Sequence, residues 1–142
     1  MTPHATATTF HVSDLERSLR YYVGVLGFTE RFRFGDYAGV QMGGEGAVVQ
    51  IHLSGPGSTN KRAVGQGTIY VFCDAVDDYC AEIVARGATI QAPPRDYEYG
   101  MRDFVVEDPD GNLVTFGCEG RAAANGTTAG DDDGGGETLP QA

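Results

Sequence analysis

Two segments of this chain repeat one pattern, and the repeat limits the possible folds more than any other feature. Asp14 lies thirteen residues before Gly27, and Asp74 lies thirteen residues before Gly87. Between these landmarks, apolar residues recur at the spacing of an amphipathic helix. They are Leu15, Leu19, Tyr22 and Leu26 in the first copy, and Val76, Tyr79, Cys80, Ile83 and Val84 in the second. Because each glycine is typical of a helix C-terminus, the pattern predicts two copies of one unit.

Each predicted helix begins at a capping residue and is followed by three strand-like runs. Ser13 and Glu16 have the spacing of a capping box, and Asp74 is suited to cap the second helix. The runs cover residues 28–34, 37–42 and 47–53 in the first copy, and 89–91, 100–107 and 113–118 in the second. Pro93 and Pro94 are expected to interrupt the chain before a loop. With a strand before each helix, both halves are predicted to be β-α-β-β-β modules.

The predicted folded domain covers residues 1–118, with module one at about 5–55 and module two at about 66–118. Residues 119–142 are rich in Gly, Ala, Thr and Asp, which predicts a disordered acidic tail. No apolar stretch approaches the roughly 20 residues that span a bilayer, and the first ten residues lack the features of a secretion signal. The three cysteines form no CxxC pair. We therefore expect a cytoplasmic protein with reduced thiols.

The charge balance disfavours some classes of partner. The formal net charge is −10, and residues 1–118 alone, with nine basic and fifteen acidic side chains, carry −6. An acidic folded domain is a poor match for phosphate-rich surfaces, so neither nucleic acid nor an anionic membrane is an expected partner. The same charge favours a neutral or cationic ligand.

The order of several short motifs resembles the vicinal oxygen chelate superfamily, which includes glyoxalases, bleomycin-resistance proteins and extradiol dioxygenases. The matching stretches are VSDLERS at 12–18, Tyr22, LGF at 26–28, Asp103-Phe104 and the DPDGN turn at 108–112, and the resemblance extends over residues 7–118. It implies an α+β fold in which paired βαβββ modules form a cup-shaped mixed sheet with helices on the outer face. It also implies a homodimer that completes or encloses the binding sites.

In metal-dependent members of that superfamily, four cup-facing positions hold His, Glu or Gln ligands. The resemblance places these positions at Ala7, Gln50, Thr68 and Thr115. Ala7 has no donor atom and the two threonine hydroxyls are weak neutral ligands, so only Gln50 is suited to coordination. We therefore expect no metal, no cofactor and none of the chemistry that needs a Lewis acid.

Strand alternation predicts which other side chains line the cup. If those four positions face it, so do Thr9, His11, Val48, His52, Tyr70, Phe72 and Leu113, whereas the alternate positions on these strands are all apolar. Further aromatic residues in strands or loops could border the cup, namely Phe32, Phe34, Tyr37, Tyr97 and Tyr99, although Phe32 and Phe34 could equally belong to the core. Apolar walls with a few polar groups suit a small-molecule pocket. The alternative is an ordinary water-facing sheet.

Ten residues are accordingly predicted to bind ligand, and none is predicted to be catalytic. Five supply polar lining, namely Gln50, His52, Thr68, Tyr70 and Thr115, and four supply aromatic walls, namely Phe34, Tyr37, Phe72 and Tyr99. The tenth, Arg102, has two interpretations: contact with a ligand anion, or an ion pair with Asp103 or Glu107.

Aromatic-glycine segments at Phe34-Gly35 and Tyr99-Gly100, the latter followed by Arg102, are most similar to the metal-free bleomycin-resistance branch. Members of that branch bind a drug and sequester it. Tryptophan is prominent in the pocket of bleomycin binders and absent from this chain, which favours a different ligand. We predict a metal-independent, antibiotic-like small-molecule binding protein that confers resistance by sequestering a cationic or planar ligand in a cup or dimer-interface pocket.

Two other functions remain open at this point. A cofactor-free enzyme of the same fold could act on a natural product with His52 or His11 as general base, since imidazole titrates near neutral pH. A metal-dependent glyoxalase-like or dioxygenase-like lyase would need an unconventional ligand set of His11, Gln50 and His52.

Overall fold

The computed structural model describes residues 1–59 and 61–120, which form two modules with the same order of elements. Module one contains β1 (Thr8–His11), α1 (Leu15–Leu19) with a π-helical extension (Arg20–Val25), β2 (Thr29–Phe34), β3 (Tyr37–Met42) and β4 (Val49–Ser54). Module two contains β5 (Thr68–Phe72), α2 (Val76–Ala85), β6 (Thr89–Asp96), β7 (Met101–Glu107) and β8 (Leu113–Glu119). The predicted βαβββ repeat is confirmed.

Each module forms its own four-stranded mixed sheet. The strand orders are β1-β4-β3-β2 and β5-β8-β7-β6, so equivalent strands occupy equivalent places in the two sheets. In both sheets the strand before the helix pairs in parallel with the last strand, and the remaining pairs are antiparallel. This arrangement confirms the predicted α+β fold of paired modules.

One apolar core joins the two modules between the helices and the sheets. Its nearly fully buried members include Phe10, Ile51 and Leu53 from the first sheet, Phe104, Val114 and Phe116 from the second, and Leu19, Tyr22 and Ile83 from the helices. These strand residues alternate with those predicted to face the cup. Hydrogen bonds also cross between modules, since the Tyr79 hydroxyl donates to the Leu26 carbonyl oxygen at 2.6 Å. The two repeats therefore share a single interior.

The first helix departs from regular α-helical geometry after Leu19. In the π-helical extension, the Leu26 N–H donates to the Tyr21 carbonyl five residues earlier, at 3.0 Å. Gly24 lies in this segment, and glycine is a weak α-helix former. At the other end of the helix, the cap is Asp14, whose carboxylate accepts the Arg17 N–H at 3.1 Å.

The cap predicted at each helix start is wrong. Ser13 does not form the predicted box, because its hydroxyl donates to Asp110 in module two instead. α2 begins after Ala75, which adopts a left-handed φ of +51° and provides no side-chain cap, so Asp74 is displaced from the capping position. The predicted helix stops are confirmed, since Gly27 and Gly87 have φ values of +87° and +103°.

β6 continues through Pro93 and Pro94 to Asp96, where a break was predicted. β6 is an edge strand that pairs only with β7, and prolines are tolerated in edge strands because no second strand needs a hydrogen bond from them. Register shifts between Ile90 and Arg95 accommodate the irregular backbone.

The last strand ends slightly beyond the predicted domain boundary at 118. β8 reaches Glu119, and the Gly120 N–H donates to the Gly100 carbonyl oxygen at 2.8 Å. The rest of the predicted tail, residues 121–142, lies outside the described residues. No helix in the described part of the chain is long and apolar enough to cross a membrane.

Candidate functional site

Each sheet has one face against the helices and one face turned away from them, which we call its open face. On the first sheet, Phe32 and His52 both lie in register with Gly39 of the central strand β3. On the second sheet, Phe72 and Asp103 both lie in register with Gly117 of the central strand β8. The open faces therefore carry aromatic and polar side chains at the positions that alternate with the core.

The open face of the first sheet holds a cluster of four rings: Phe32, Phe34, Tyr37 and His52. The Phe32 ring lies edge-on to His52 at 5.1 Å between centroids, nearly parallel to Tyr37 at 6.2 Å, and 5.8 Å from Phe34. Phe32 can lie across the sheet because Gly39 is beneath it, and a Cβ at Gly39 would come within 2.2 Å of the ring. The outermost ring, Phe34, is 75% exposed.

A hydrogen bond at the base of this cluster joins Tyr37 to His52, with 2.9 Å between the phenol oxygen and Nδ1. Burial, assisted by the positive charge of Arg31, lowers the pKa of His52, so its imidazole is neutral at neutral pH. The other ring nitrogen, Nε2, has no hydrogen-bond partner among the described residues. This nitrogen can accept or donate a proton, depending on the tautomer.

The open face of the second sheet is built around a buried carboxylate. Asp103 is only 3% exposed, and its Oδ2 accepts the hydroxyls of Tyr70 at 3.0 Å and Tyr99 at 3.1 Å. Burial together with the hydrogen bond to Asp103 raises the pKa of both phenols, so both remain protonated donors. None of the ion pairs within the described residues involves Asp103.

Aromatic rings surround this carboxylate. Phe72 lies 4.8 Å from Tyr70, and Tyr97 stacks on Tyr99 at 5.1 Å with an interplanar angle of 8°. The Arg95 guanidinium covers Tyr97 at 4.5 Å from its centroid, a cation–π contact. Phe72 and Tyr99 remain 61% and 41% exposed, and their rings are available for stacking.

The structure places eight of the ten predicted ligand-binding residues on strand positions of the open faces. Phe34, Tyr37, Gln50 and His52 lie on the first sheet, and Thr68, Tyr70, Phe72 and Thr115 lie on the second. Tyr99 lies in the turn between β6 and β7 and joins the second group through Asp103. Thr115 is 1% exposed, and its hydroxyl has no hydrogen-bond partner in the described part of the chain.

The tenth predicted residue, Arg102, lies on the other face of β7. Its guanidinium contacts Asp77 of α2 at 2.7 and 2.8 Å and Asp96 at 3.4 Å. Neither Asp103 nor Glu107, the partners considered from the sequence, is paired with it, because residues an odd number of positions apart in a strand point to opposite faces. In this arrangement Arg102 links α2 to the second sheet.

The superfamily resemblance assigns metal ligands to four positions, and the residues at those positions in this chain do not suit a divalent ion. Ala7 precedes β1 and offers a methyl group, Gln50 offers an amide that donates to Ala47, and Thr68 and Thr115 offer hydroxyls. Divalent metals in proteins are normally held by imidazole, carboxylate or thiolate groups. Within residues 1–59 and 61–120, His, Cys, Asp and Glu form no group of three suited to an ion.

Asp103 is the main site residue that the sequence analysis did not select. Its position could have been found from the alternation in β7, where Phe104 and Val106 are core residues and Asp103 and Val105 take the opposite face. Its environment depends on Tyr70, which lies 33 positions earlier in the chain. Strand alternation does not reveal that contact.

The comparisons with known proteins agree with this fold. The family model described as Glyoxalase/Bleomycin resistance protein/Dioxygenase superfamily matches residues 4–116. A superfamily member from Sphaerobacter thermophilus DSM 20745 is similar in structure, with a TM-score of 0.68, 29% identity and coverage of 83% of this chain and 98% of that one. No curated protein gave a match.

Two further solved structures are similar in fold. TnmS3, an antibiotic binding protein from Streptomyces sp. CB03234, has a TM-score of 0.68 and 24% identity, covering 84% of this chain and 98% of that one. TioX from Micromonospora sp. ML1 has a TM-score of 0.68 and 24% identity, covering 81% of this chain and 98% of that one. With more than half of its length matched by the family model, this chain belongs to the glyoxalase/bleomycin resistance protein/dioxygenase superfamily.

Proposed function

We propose that this protein is a metal-independent binding protein that sequesters an antibiotic-like small molecule with a planar body and a positive charge. The observation that carries the proposal is the set of exposed rings around polar groups on the open faces. Phe34, Phe72 and Tyr99 are 75%, 61% and 41% exposed. Rings of this kind stack on flat ligands at a small conformational cost, and exposed apolar patches are typical of binding surfaces.

The charge of the proposed ligand follows from Asp103. This carboxylate accepts two phenol hydroxyls and forms no ion pair within the described residues, so a ligand cation is its natural counter-charge. The electron-rich faces of the neighbouring tyrosines also favour a cation. The net charge of −10 would raise the rate of encounter with such a ligand.

The proposed site is completed by a second copy of the chain. The two ring clusters belong to different sheets, and each open face is turned away from the shared core. In a twofold dimer, the first sheet of one protomer would face the second sheet of its partner and enclose a flat ligand between the clusters. The similarity to TnmS3, an antibiotic binding protein, supports the binding of an antibiotic-like molecule at the level of the fold, independently of the dimer.

Doxorubicin, which joins a planar fluorescent ring system to an amino sugar, is a suitable probe. We expect saturable quenching of its fluorescence, weaker binding of the uncharged N-acetyldoxorubicin, and about tenfold weaker binding by Phe72→Ser, equal to about 1.4 kcal/mol. Val84→Ser, at an exposed position of α2, is the matched control. Mass spectrometry should recover the drug unchanged. An absence of saturable binding, or equal affinity of Phe72→Ser, would contradict the proposal.

A cofactor-free enzyme is the second candidate, and the Tyr37–His52 pair favours His52 over His11 as its base. The neutral imidazole keeps Nε2 without a partner among the described residues, as a general base requires. This candidate predicts that the probe is recovered chemically altered. His52→Ala should then abolish turnover while the affinity for the probe is largely kept. Equal loss of turnover and affinity would count against His52 as a general base.

A further inference from the structure

A cavity of about 270 Å³ lies on the helix side of the molecule, apart from both open faces. Its lining residues are Met42, Val71, Cys73, Asp74, Ala75, Asp78, Tyr79, Glu82 and Phe116. Val71 and Phe116 belong to the core side of the second sheet, and Asp78, Tyr79 and Glu82 belong to α2. None of the ten predicted ligand-binding residues takes part in this lining.

The inner wall of this cavity is apolar and aromatic. Met42, Val71 and Phe116 belong to it, and the Tyr79 ring meets Phe116 edge-on at 4.9 Å between centroids. The Tyr79 hydroxyl donates to the Leu26 carbonyl oxygen at 2.6 Å, so its polar atom is already bonded within the protein. Burial raises the pKa of Cys73, so the thiol at the cavity is uncharged at neutral pH.

The charged groups of the lining are all carboxylates. Asp78 and Glu82 lie one turn apart on α2, and Asp74 lies before the helix, where it does not serve as the cap. Glu82 contacts Arg86 at 3.5 Å, whereas Asp74 and Asp78 enter none of the ion pairs in the described part of the chain. The three carboxylates of the lining have one guanidinium, that of Arg86, paired with them, so the charge at the cavity is negative.

We propose that this cavity is a second ligand site, separate from the open faces, that binds a small amphipathic ammonium ion. The apolar body would lie against Met42, Val71 and Phe116, and the ammonium group would lie among the carboxylates of Asp74, Asp78 and Glu82. Charge complementarity selects a cation over a neutral or anionic compound of the same shape. The cavity volume suits a molecule with one aromatic ring.

Cys73 provides a reporter inside the cavity for the test. The 142-residue chain is treated with iodoacetamide, and peptide mass spectrometry follows each cysteine with and without 2-phenylethylammonium. We expect at least fivefold slower alkylation of Cys73 when the amine is present. The uncharged 2-phenylethanol has the same ring and should protect less than twofold. Cys80 is 8% exposed, and its slow reaction reports that the fold is intact.

A double variant tests the role of the carboxylates. Asp78→Asn with Glu82→Gln should remove the protection of Cys73. Glu45→Gln with Glu98→Gln changes the net charge equally at exposed positions outside the lining and should keep the protection. Three results would each overturn the proposal: an alkylation rate that the amine does not change, equal protection by the alcohol, or protection that persists in the cavity variant. Doxorubicin binding is measured separately, so failure here leaves the proposed function untouched.

Discussion

Partly and fully buried polar side chains in this protein are of two kinds: those whose polar atoms are all hydrogen-bonded, and those with one polar atom that has no partner among the described residues. Asp108 belongs to the first kind, since its two oxygens accept the Tyr22 hydroxyl, the side-chain amide of Asn112 and the backbone N–H groups of Asp110 and Asn112. This carboxylate ties the first helix to the turn between β7 and β8. Such groups are costly to disturb and have no capacity left for a ligand.

His52 belongs to the second kind, and its environment predicts a dependence of stability on pH. Burial lowers its pKa in the folded state below the ordinary value of 6.5. The unfolded chain then binds the proton more readily, so the stabilisation from neutral His52 is complete above pH 6.5 and is lost as the pH falls through the folded pKa. Urea unfolding at pH 8 and pH 5.5 should show a smaller pH effect in His52→Gln. An unchanged pH effect would contradict this prediction.

At this scale, the sequence predicts the face of a residue better than its partners. Alternation correctly separates His52 and Tyr70 from Ile51 and Val71, because the period of a strand is two. The partner of Arg102 is Asp77, 25 positions away on a helix, and strand alternation does not reveal that contact.

At the scale of strands, both sheets use a glycine to let an aromatic ring lie across the backbone. Gly39 of β3 lies beneath Phe32, and Gly117 of β8 lies beneath the Tyr70 phenol, where a Cβ would come within 2.2 Å and 2.0 Å of those side chains. The glycines occupy central strands, where a side chain would otherwise stand upright on the sheet. The positions of the Phe32 and Tyr70 rings therefore depend on the absence of a side chain at Gly39 and Gly117.

Gly39→Ala is expected to displace the Phe32 ring from its place beside His52 and Tyr37. Overpacking of this kind costs about 1–3 kcal/mol, which urea unfolding would measure. The displaced ring should also weaken doxorubicin binding several-fold. Gly24→Ala is the control, because a Cβ at Gly24 meets nothing within 4 Å. It should leave doxorubicin binding unchanged and raise stability slightly, since alanine favours a helix more than glycine does. Equal effects of the two substitutions would contradict this role of Gly39.

The existence and order of the elements follow from the sequence more closely than their local geometry does. Two amphipathic stretches ending at Gly27 and Gly87 predicted the two helices, because apolar spacing and a left-handed stop are local properties. The π-helical turns before Leu26 do not follow from that spacing, which also suits an α-helix. The passage of β6 through Pro93 depends on its edge position, which is a property of the whole sheet.

For the whole molecule, the two open faces are alike in strand order but different in chemistry. One has a phenol–imidazole pair at its base, and the other has a carboxylate that accepts two phenol hydroxyls. If the first sheet of one protomer meets the second sheet of its partner, a bound ligand has the phenol–imidazole pair on one side and the carboxylate on the other. A dimer in which like faces meet would instead present the same group twice.

Complementation between two variants distinguishes these dimers. Phe34→Glu alters the open face of the first sheet, and Phe72→Glu alters that of the second. We expect each variant alone to lose doxorubicin binding, because both sites of its dimer carry one altered face. After mixing and subunit exchange, the heterodimer should regain one site, which fluorescence titration would count. Retained binding by either variant alone would indicate that like faces meet.

The two prolines of β6 also bear on how this protein avoids unwanted association. An exposed strand edge offers N–H and C=O groups to any other extended chain, which is a common route to aggregation. Pro93 and Pro94 have no N–H group, so they reduce the number of donors on the outer strand of the second sheet. On the outer strand of the first sheet, Glu30, Arg31 and Arg33 provide charge. These two edges are therefore poor templates for edge-to-edge pairing between copies of this chain.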